Sequence, residues 1–577
     1  MLMKVCGYHW AACFAFIHLP ALICSFPLHA QETNSHISGL IQSTNNELLS
    51  GTTVTLVHEP TKNTYSTQTN GSGYYYFFNL KPGGTYTITV SYSGYITETK
   101  QDLYFNYSSV QDEDFIPFVM RKNNTPLEKV VVTGKRPEDV KTGTETNITE
   151  QQIRSLPSIS RNLQDYIRLV PQAKVSGDGM VSLAGQPGKY NAVFIDGSSS
   201  NDPLGLAQSG TNVGQTESSP ISPEAIEEIK VSLAPYNAQY SNFTGGSINI
   251  ITRSGTNQFK SSVWYFLRNE QMAGRSPVPV EKPGSPGIFE RSRLSPFFNQ
   301  AAGIWAGGPV IRNKLFYFLL FERQDEKQPQ PFILSGYRGN STQQQLEALA
   351  STMQNRYGYD PGSFLELNKG LSVNRFIIKL DWNPSLKNKL TFSFRYNYAE
   401  RTNAGAIGGT SLRFSNNAFV VSAKSIAPTI EWKSFLSSSA NNRLLVTFTN
   451  QTDDRNIIGK PFPSIEITDG AGSIFLGNNS ISEIDLFKSS GFGLLDVLKL
   501  IKRKHVISAG AEMNYTNLND LIVPDYFGYY RFGTLNDFIT NAFPADVKRT
   551  VSLMDGPEND HSKAGSRYSA GRLGLFI

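Results

Sequence analysis

The sequence is poor in cysteine, and its few cysteines all lie close to the N-terminus. Of the 577 residues only three are cysteines, namely Cys6, Cys13 and Cys24. They belong to a segment in which Lys4 precedes a largely apolar stretch over residues 10–26, and which ends in the small residue Ala30. This arrangement is typical of a secretory signal peptide, so residues 1–30 are predicted to be removed by cleavage near Ala30. The mature chain then has no thiol, no disulfide and no cysteine-based metal site.

Long apolar runs and a strong charge excess are also absent. A membrane anchor is the alternative for the first segment, but His18 and Pro20 interrupt its apolar run, which is short for a bilayer-spanning helix. After residue 30 no run approaches about 18 apolar residues, which excludes helical membrane spans. The net charge of +5 arises from 53 basic and 48 acidic residues, a balance without a nucleic-acid-binding signature. The 26 tyrosines and 36 phenylalanines instead favour strands and membrane-interface girdles.

Residues with catalytic or metal-binding spacing are lacking as well. The histidines after residue 30 are scattered: His36, His58, His505 and His561. The acidic run at residues 112–114 lacks the glycine and distal glutamate of a calcium loop. Residues 185–190 lack the spacing and the hydroxyl residue of a phosphate loop. Because no nucleophile is paired with a base, we expect no enzyme activity, no cofactor and no metal site.

Residues 31–121 have the pattern of a small β-sandwich. Short alternating segments are separated by turn residues such as Asn70-Gly71. The segments span residues 53–57, 74–78, 86–90 and 115–120, which favours a sandwich. Three glycine-containing stretches, residues 51–56, 69–75 and 93–95, resemble the carboxypeptidase-regulatory-like domain. That resemblance implies an immunoglobulin-like sandwich without peptidase activity of its own.

Residues 122–140 are predicted to be a linker that is polar apart from one β-branched segment. This segment contains Leu127, Glu128, Val130, Val131, Val132, Thr133 and Gly134. An extended segment of this kind can pair with the sheet edge of another protein, because main-chain hydrogen bonds supply the affinity. We therefore interpret it as a candidate partner-binding strand. An ordinary first strand of the next domain is the alternative.

Residues 141–257 are predicted to form a compact α+β domain. We expect a helical segment over residues 153–169, in which Ser160 is placed to cap a short helix. The apolar positions of that helix fall on one face: Leu163, Tyr166, Ile167 and Val170. Strands are expected among glycine-rich turns, at residues 193–195, 229–233 and 247–252.

Residues 258–577 show long two-residue alternation. Over residues 375–382 one face carries Phe376, Ile378, Leu380 and Trp382, and the other carries Arg375, Ile377, Lys379 and Asp381. The pattern recurs over residues 389–398 and 505–515. Such strands match the length of about 9–11 residues that crosses a membrane, rather than the roughly 5–6 of a soluble sandwich. We expect about nine to eleven strands with an apolar lipid face and a polar lumen face, joined by tight turns, such as one within residues 307–313, and by long polar loops over residues 324–370, 451–490 and 516–560.

Several motifs together resemble the TonB-dependent receptors. They are residues 156–171, the strand and turn Phe194-Ile195-Asp196-Gly197, residues 226–231 and the glycine-rich run over residues 240–255. Residues 234–240 and the first barrel hairpin, residues 306–322, are similar to the Oar-like subgroup. The resemblance implies a mainly β protein of a Gram-negative outer membrane, with an immunoglobulin-like β-sandwich, an α+β plug and a partial transmembrane antiparallel β-barrel.

The resemblance also implies a function. Residues 127–134 are then the candidate TonB box, which pairs with TonB of the inner-membrane energising complex. The barrel contacts outer-membrane lipid, and an unidentified extracellular ligand is imported. An adhesin or structural surface protein without transport is the alternative, as is a passive porin, but neither has a use for a domain that fills the lumen.

The expected strands are fewer than the roughly 22 of outer-membrane transporters. The sequence ends at Phe576 and Ile577 in mid-alternation. An open barrel would leave unpaired backbone groups in lipid. The sequence therefore predicts a truncated or split product whose barrel does not close.

Overall fold

The computed structural model describes residues 35–577 except for several stretches. Those not described are 81–83, 105–113, 123–144, 157, 159, 177–178, 234–244, 282–286, 292, 333, 406, 438, 503–504 and 551–564. The predicted signal peptide and the candidate TonB box at residues 127–134 therefore lie outside the described residues. Where the chain is described, no helix combines the length and the apolar character needed to span a bilayer.

The N-terminal module is a sandwich of two sheets, each with four strands in the described residues. Its strands are β1 (Ser35–Ser43), β2 (Thr53–His58), β3 (Asn63–Gln68), β4 (Tyr74–Leu80), β5 (Thr85–Ser91), β6 (Glu98–Tyr104), β7 (Asp114–Phe115) and β8 (Phe118–Met120). In one sheet β1 pairs with β4, β7 and β8, and the other has the order β3-β2-β5-β6. Alternate residues such as Val54, Tyr75 and Ile88 enter a shared apolar core. The predicted sandwich is confirmed.

The strand predicted over residues 115–120 is divided in two. β7 and β8 both pair with β1 in parallel, β7 opposite Ile37 and Ser38, and β8 farther along. Pro117 lies between them and has no N–H to donate, which explains the interruption. The sequence did not predict β1, β3 or β6. In β6 no residue is buried, so it lacks the apolar alternation that marks a strand.

The second domain is the expected α+β unit, which is called the plug below. Its elements are β9 (Glu145–Thr149), α1 (Glu150–Ser155), α2 (Leu163–Ile167), β10 (Ala173–Val175), β11 (Val181–Leu183), β12 (Ala192–Ile195), β13 (Ser198–Ser199), β14 (Ile226–Leu233) and β15 (Gly246–Thr252). Five of the strands form a sheet of order β13-β12-β15-β14-β9. β14 and β15 are buried along almost their whole length, as in a sheet covered on both faces. The three predicted strands are confirmed.

The predicted helical segment is two short helices rather than one. Thr149 caps α1, which ends at Leu156 in an extended conformation. That conformation is favoured before a proline, and residue 157 is proline. The capping role of Ser160 was wrong, because Asn162 is the N-cap of α2 and Ser160 donates to Asp165 at 2.7 Å. The predicted apolar face was correct, since its members are all buried: Leu163, Tyr166, Ile167 and Val170.

In the residues described after the plug, ten antiparallel strands form one sheet, the barrel sheet, within the expected range of about nine to eleven strands. Its strands are β16 (Lys260–Asn269), β19 (Phe298–Ile311), β20 (Leu315–Pro331), β21 (Glu366–Ser385), β22 (Asn388–Asn403), β24 (Phe419–Ser437), β25 (Ala440–Ile457), β28 (Asp485–Lys502), β29 (His505–Ile522) and β32 (Ser566–Phe576). They pair in the order in which they are named. Several exceed the roughly 9–11 residues that cross the hydrocarbon, so they extend beyond it.

Short turns join the strands at one end of the barrel sheet, and long connections join them at the other. The turn expected within residues 307–313 is confined to residues 312–314, because β19 continues to Ile311. Near the short-turn end Trp382 and Trp432 both lie opposite Leu390 and are 46 % and 47 % exposed. Exposed tryptophans at one level are typical of a membrane interface.

The long connections fold into a domain of their own, which the sequence did not predict. The elements they contain are β17 (Val280–Glu281), β18 (Phe289–Glu290), α3 (Gln343–Tyr357), β23 (Ser411–Arg413), β26 (Ser464–Asp469), β27 (Gly472–Leu476), β30 (Tyr529–Phe532), α4 (Leu535–Ile539) and β31 (Asp546–Lys548). Three connections supply the sheet β23-β27-β26-β30-β31, and a fourth supplies α3. Leu346, Leu349, Phe414 and Ile467 contribute to its buried core. We call this unit the loop domain.

Candidate functional site at the contact between plug and barrel

The candidate TonB box lies between β8 and β9, outside the described residues, and its contacts are therefore not described. What the structure does describe is how the plug is held against the barrel sheet. The face predicted to line the lumen is buried in β21 and β22, including Arg375, Lys379, Ser393, Arg395 and Asn397. Several of these side chains contact the plug, in three groups at increasing distance from the short turns.

The first group surrounds the turn after β12. Asp196 and Gly197 both have positive φ, 49° and 80°. A Cβ at position 197 would lie 2.8 Å from Leu445 Cδ2 of the barrel, so glycine permits this close approach. The Asp196 carboxylate accepts from the Thr252 N–H at 3.0 Å and from the Thr252 hydroxyl at 2.6 Å. This turn therefore joins the ends of β12 and β15 and presents them to the barrel.

Two buried cations of the barrel bind this turn. Lys379 Nζ donates to the carbonyl and the hydroxyl of Thr252, both at 3.0 Å, and lies 3.3 Å from Asp196 Oδ1. Arg395 donates to the carbonyl of Ile195 at 2.5 Å. Such partners are required, because a buried charge without them costs several kcal/mol of desolvation.

The second group is centred on Glu322 of β20, which is 1 % exposed. Its carboxylate accepts from Arg375 of β21 at 2.6 Å, from Arg161 of the plug at 3.2 Å and from Ser222 of the plug at 2.9 Å. Arg375 also donates to the carbonyl of Ser219 at 3.2 Å. Two plug segments and two barrel strands thus meet at one carboxylate, which fixes the height of the plug in the lumen.

The third group lies toward the long connections and holds plug residues 212–217. Arg401 of β22 pairs with Glu217 at 2.7 Å and donates to the Thr216 carbonyl at 3.3 Å. Three further hydrogen bonds of 2.9 Å join Asn212 to Ser425, Gln215 to Asp453 and Arg455 to Gln215. Glu217 is 60 % exposed, so this group is more accessible to water than the second.

A pocket of about 390 Å³ lies beside this third group. It is lined by polar residues of two plug stretches, within residues 160–179 and 206–217, and by Arg455 of the barrel. Asp202 organises the loop beside it by accepting from the N–H groups of Leu204 at 3.1 Å and Ala207 at 2.5 Å, and burial raises the pKa of Asp202. Leu204 and Leu206 are exposed.

The contact between plug and barrel consists largely of hydrogen bonds and ion pairs. In the part of the chain that the structure describes, no group of three or more His, Cys, Asp or Glu is placed to bind a metal ion. Residues 185–190, which superficially resemble a phosphate loop, include the short 3₁₀ helix Gly188–Tyr190 of the plug. The charges of the contact are largely satisfied by one another.

Sequence reasoning placed Arg375, Lys379 and Arg395 on the lumen face but identified no residue of this contact as a site. Alternation gives the face of a strand and not the partner across the lumen. Arg161 and Glu322 are 161 positions apart, so no local pattern pairs them.

A strand meander with a plug packed on its inner face defines a plugged outer-membrane β-barrel protein. Three family models match the chain: the carboxypeptidase regulatory-like domain over residues 36–115, the TonB-dependent receptor plug domain over residues 138–248 and an outer membrane β-barrel domain over residues 251–337. The chain is therefore similar to the TonB-dependent receptors in its plug domain, with a carboxypeptidase regulatory-like domain before it and an outer membrane β-barrel domain after it.

Individual relatives agree with this. TonB-dependent transporter Oar of Myxococcus xanthus is 30 % identical over 163 residues, which are 28 % of this chain and 14 % of Oar. The probable TonB-dependent siderophore receptor PirA of Acinetobacter baumannii is 26 % identical over 205 residues, 33 % of this chain and 24 % of PirA. These relatives are a transporter and a receptor, not enzymes, which confirms the prediction that the chain is not an enzyme.

The fold also agrees with a solved structure. The outer membrane transporter YddB from Escherichia coli superposes with a TM-score of 0.50 at 12 % identity, over 74 % of this chain and 54 % of YddB. The chain thus spans about half the length of that transporter, and its aligned stretches span less than a quarter of the two curated relatives.

Proposed function

We propose that this protein imports an extracellular ligand across the outer membrane with energy that TonB transmits from the inner membrane. The observation that supports this most is the packing of the plug on the lumen face of the barrel sheet through three groups of polar contacts. Hydrogen bonds and ion pairs can be exchanged for contacts with water as a domain moves. A plug held in this way both blocks the lumen and can be displaced from it.

The proposed point of attachment is the TonB box at residues 127–134, which reaches the outer membrane with the rest of the chain after signal cleavage near Ala30. The first plug element after it is β9, at one edge of the plug sheet. β9 pairs along β14, and Lys230 of β14 lies 2.9 Å from Glu145 of β9. A pull on the box therefore acts first on an edge strand, where fewer backbone hydrogen bonds have to break than in the centre of a sheet.

Binding of the purified C-terminal domain of TonB to the full chain tests this proposal. Val131→Pro removes an N–H that strand pairing uses, so affinity should fall by at least about tenfold. The matched control Val131→Thr keeps the N–H and the β-branched shape and should bind within about threefold of the parent. Equal binding by the parent and Val131→Pro would remove the box assignment.

The adhesin alternative makes the opposite forecast. A surface adhesin needs no inner-membrane partner, so neither substitution would matter and the TonB domain would not bind.

A further inference from the structure

The N-terminal sandwich contacts the end of the plug and the short-turn end of the barrel. The backbone N–H of Asn257 donates to the carbonyl of Pro60 at 3.3 Å, and the Asn257 side chain donates to the carbonyl of Thr61. Asn383, at the end of β21, donates to Asn63 Oδ1 at 3.1 Å. These contacts place the connection between β2 and β3 against the underside of the barrel.

An aromatic contact continues this line. Lys389, at the start of β22, lies 3.5 Å from the centre of the Tyr65 ring, which is the geometry of a cation–π interaction. The same ring meets Phe435, at the end of β24, edge-on with centroids 6.1 Å apart. We call these contacts, together with those of Asn257 and Asn383, the docking seam.

Between sandwich, plug and barrel lies a cavity of about 830 Å³. The sandwich lines it with His58, Pro60, Asn63, Tyr65 and Gly84. The plug and the barrel contribute charges of both signs: Glu150, Arg154, Asp196, Arg253, Lys379 and Glu431. Charged walls favour a hydrated space, and its volume is within the range of about 300–1,000 Å³ that holds small molecules.

The docking seam joins the domains through hydrogen bonds of Asn257 and Asn383 and through ring contacts of Tyr65, and polar contacts between domains are typical of domains that move relative to each other. Residues 123–144 separate the last described residue of the sandwich from β9.

We propose that the sandwich is a detachable floor of the lumen, which closes the cavity beneath the plug while docked at the seam and opens it toward the short-turn end when released. That a ligand passes this floor on its way into the cell rests on the proposed function. The barrier itself does not, because it follows from the contacts of Pro60, Thr61, Asn63 and Tyr65.

A cysteine inside the cavity reports on the barrier. Ser254, at the end of the plug, lines the cavity and is half-buried. The sequence has no cysteine after Cys24, so Ser254→Cys gives one thiol in the mature full chain. Isolated outer-membrane fragments, in which both membrane faces are accessible, are treated with one of two thiol reagents. One is a small methanethiosulfonate, and the other is a maleimide that carries a polyethylene glycol of about 5 kDa, which the docked sandwich should exclude from the cavity.

Substitutions at the docking seam should raise or restore the rate at which the bulky reagent labels the cysteine at position 254. Asn63→Asp with Asn383→Asp sets two carboxylates against each other and should raise labelling by the bulky reagent about tenfold, with little change for the small one. Asn63→Asp with Asn383→Lys restores an attractive pair and should return the slow rate. Asn45→Asp, an exposed change in the turn after β1, is the matched control.

Two results would overturn the proposal. One is rapid labelling of the parent by the bulky reagent, and the other is an unchanged rate in the double-aspartate variant. Neither TonB nor a transported ligand enters the assay, so its failure is distinguishable from failure of the proposed function.

Discussion

Removal of the Glu322 carboxylate tests whether buried charges hold the plug. Among the described residues, Glu322→Ala leaves Arg375, which is 2 % exposed, with the Ser219 carbonyl at 3.2 Å and Gln324 at 3.4 Å as its hydrogen-bond acceptors. Breaking a buried pair by removing one partner costs about 3–5 kcal/mol. With a urea dependence of about 2 kcal/mol per molar, the midpoint for release of the plug should fall by roughly 1.5–2.5 M.

Tryptophan fluorescence can follow this release. Trp264 and Trp305 belong to the apolar cluster that the barrel shares with the plug, and Arg253 of the plug lies 5.3 Å from the Trp305 ring. Release of the plug from the barrel sheet therefore changes the surroundings of both indole rings. Urea titration of the emission gives the midpoint.

Glu217→Ala is the matched control, because it also removes a plug–barrel ion pair, with Arg401 at 2.7 Å. Since Glu217 is 60 % exposed, its loss should cost no more than about 1 kcal/mol and shift the midpoint by less than about 0.5 M. Replacing both members, by Glu322→Leu with Arg375→Met, should recover most of the loss. Equal shifts for Glu322→Ala and Glu217→Ala would refute this reasoning.

Three further predictions concern single positions. Gly197→Ala should lower the same urea midpoint more than Gly185→Ala does, because both glycines have positive φ but only a Cβ at position 197 meets a neighbour, Leu445, at 2.8 Å. Leu349→Ala should destabilise the loop domain by about 2–5 kcal/mol and speed its hydrogen exchange while leaving the plug midpoint unchanged, whereas the exposed Glu347→Ala should do neither. Burial raises the pKa of Glu483 to about 7, so its ionisation destabilises the loop domain increasingly as the pH rises from the unfolded value toward 7. Glu483→Gln should therefore raise the melting temperature of the loop domain at about pH 8, where the carboxyl group is ionised, and not at about pH 4, where it is protonated. An equal effect at both pH values would contradict this.

Local patterns predicted those parts of the fold in which one strand or helix carries its own signal. The alternation of residues 375–382 and 389–398 gave the lumen and lipid faces of β21 and β22, since a period of two is set within a strand. The apolar face of α2 followed in the same way from its helical spacing. The three plug strands were found because their apolar runs are bounded by turn residues.

Features that depend on distant segments were not predictable. The loop domain draws Leu346, Phe414 and Ile467 from three separate connections, each of which is polar as a whole. The pairing of Arg161 with Glu322, and of Asn63 with Asn383, joins positions more than a hundred residues apart. Polar contacts of this kind leave no period in the sequence, so the site could be assigned to a face but not to its partners.

Thiol labelling of the plug in living cells tests the central claim most directly. Ser219 is fully buried between plug and barrel, and Ser219→Cys gives one reporter thiol in the mature chain. If TonB displaces the plug through residues 127–134, a small maleimide should label this thiol in energised cells, and a protonophore or deletion of residues 127–134 should slow labelling at least about tenfold. Equal labelling of energised cells with and without residues 127–134 would contradict the account.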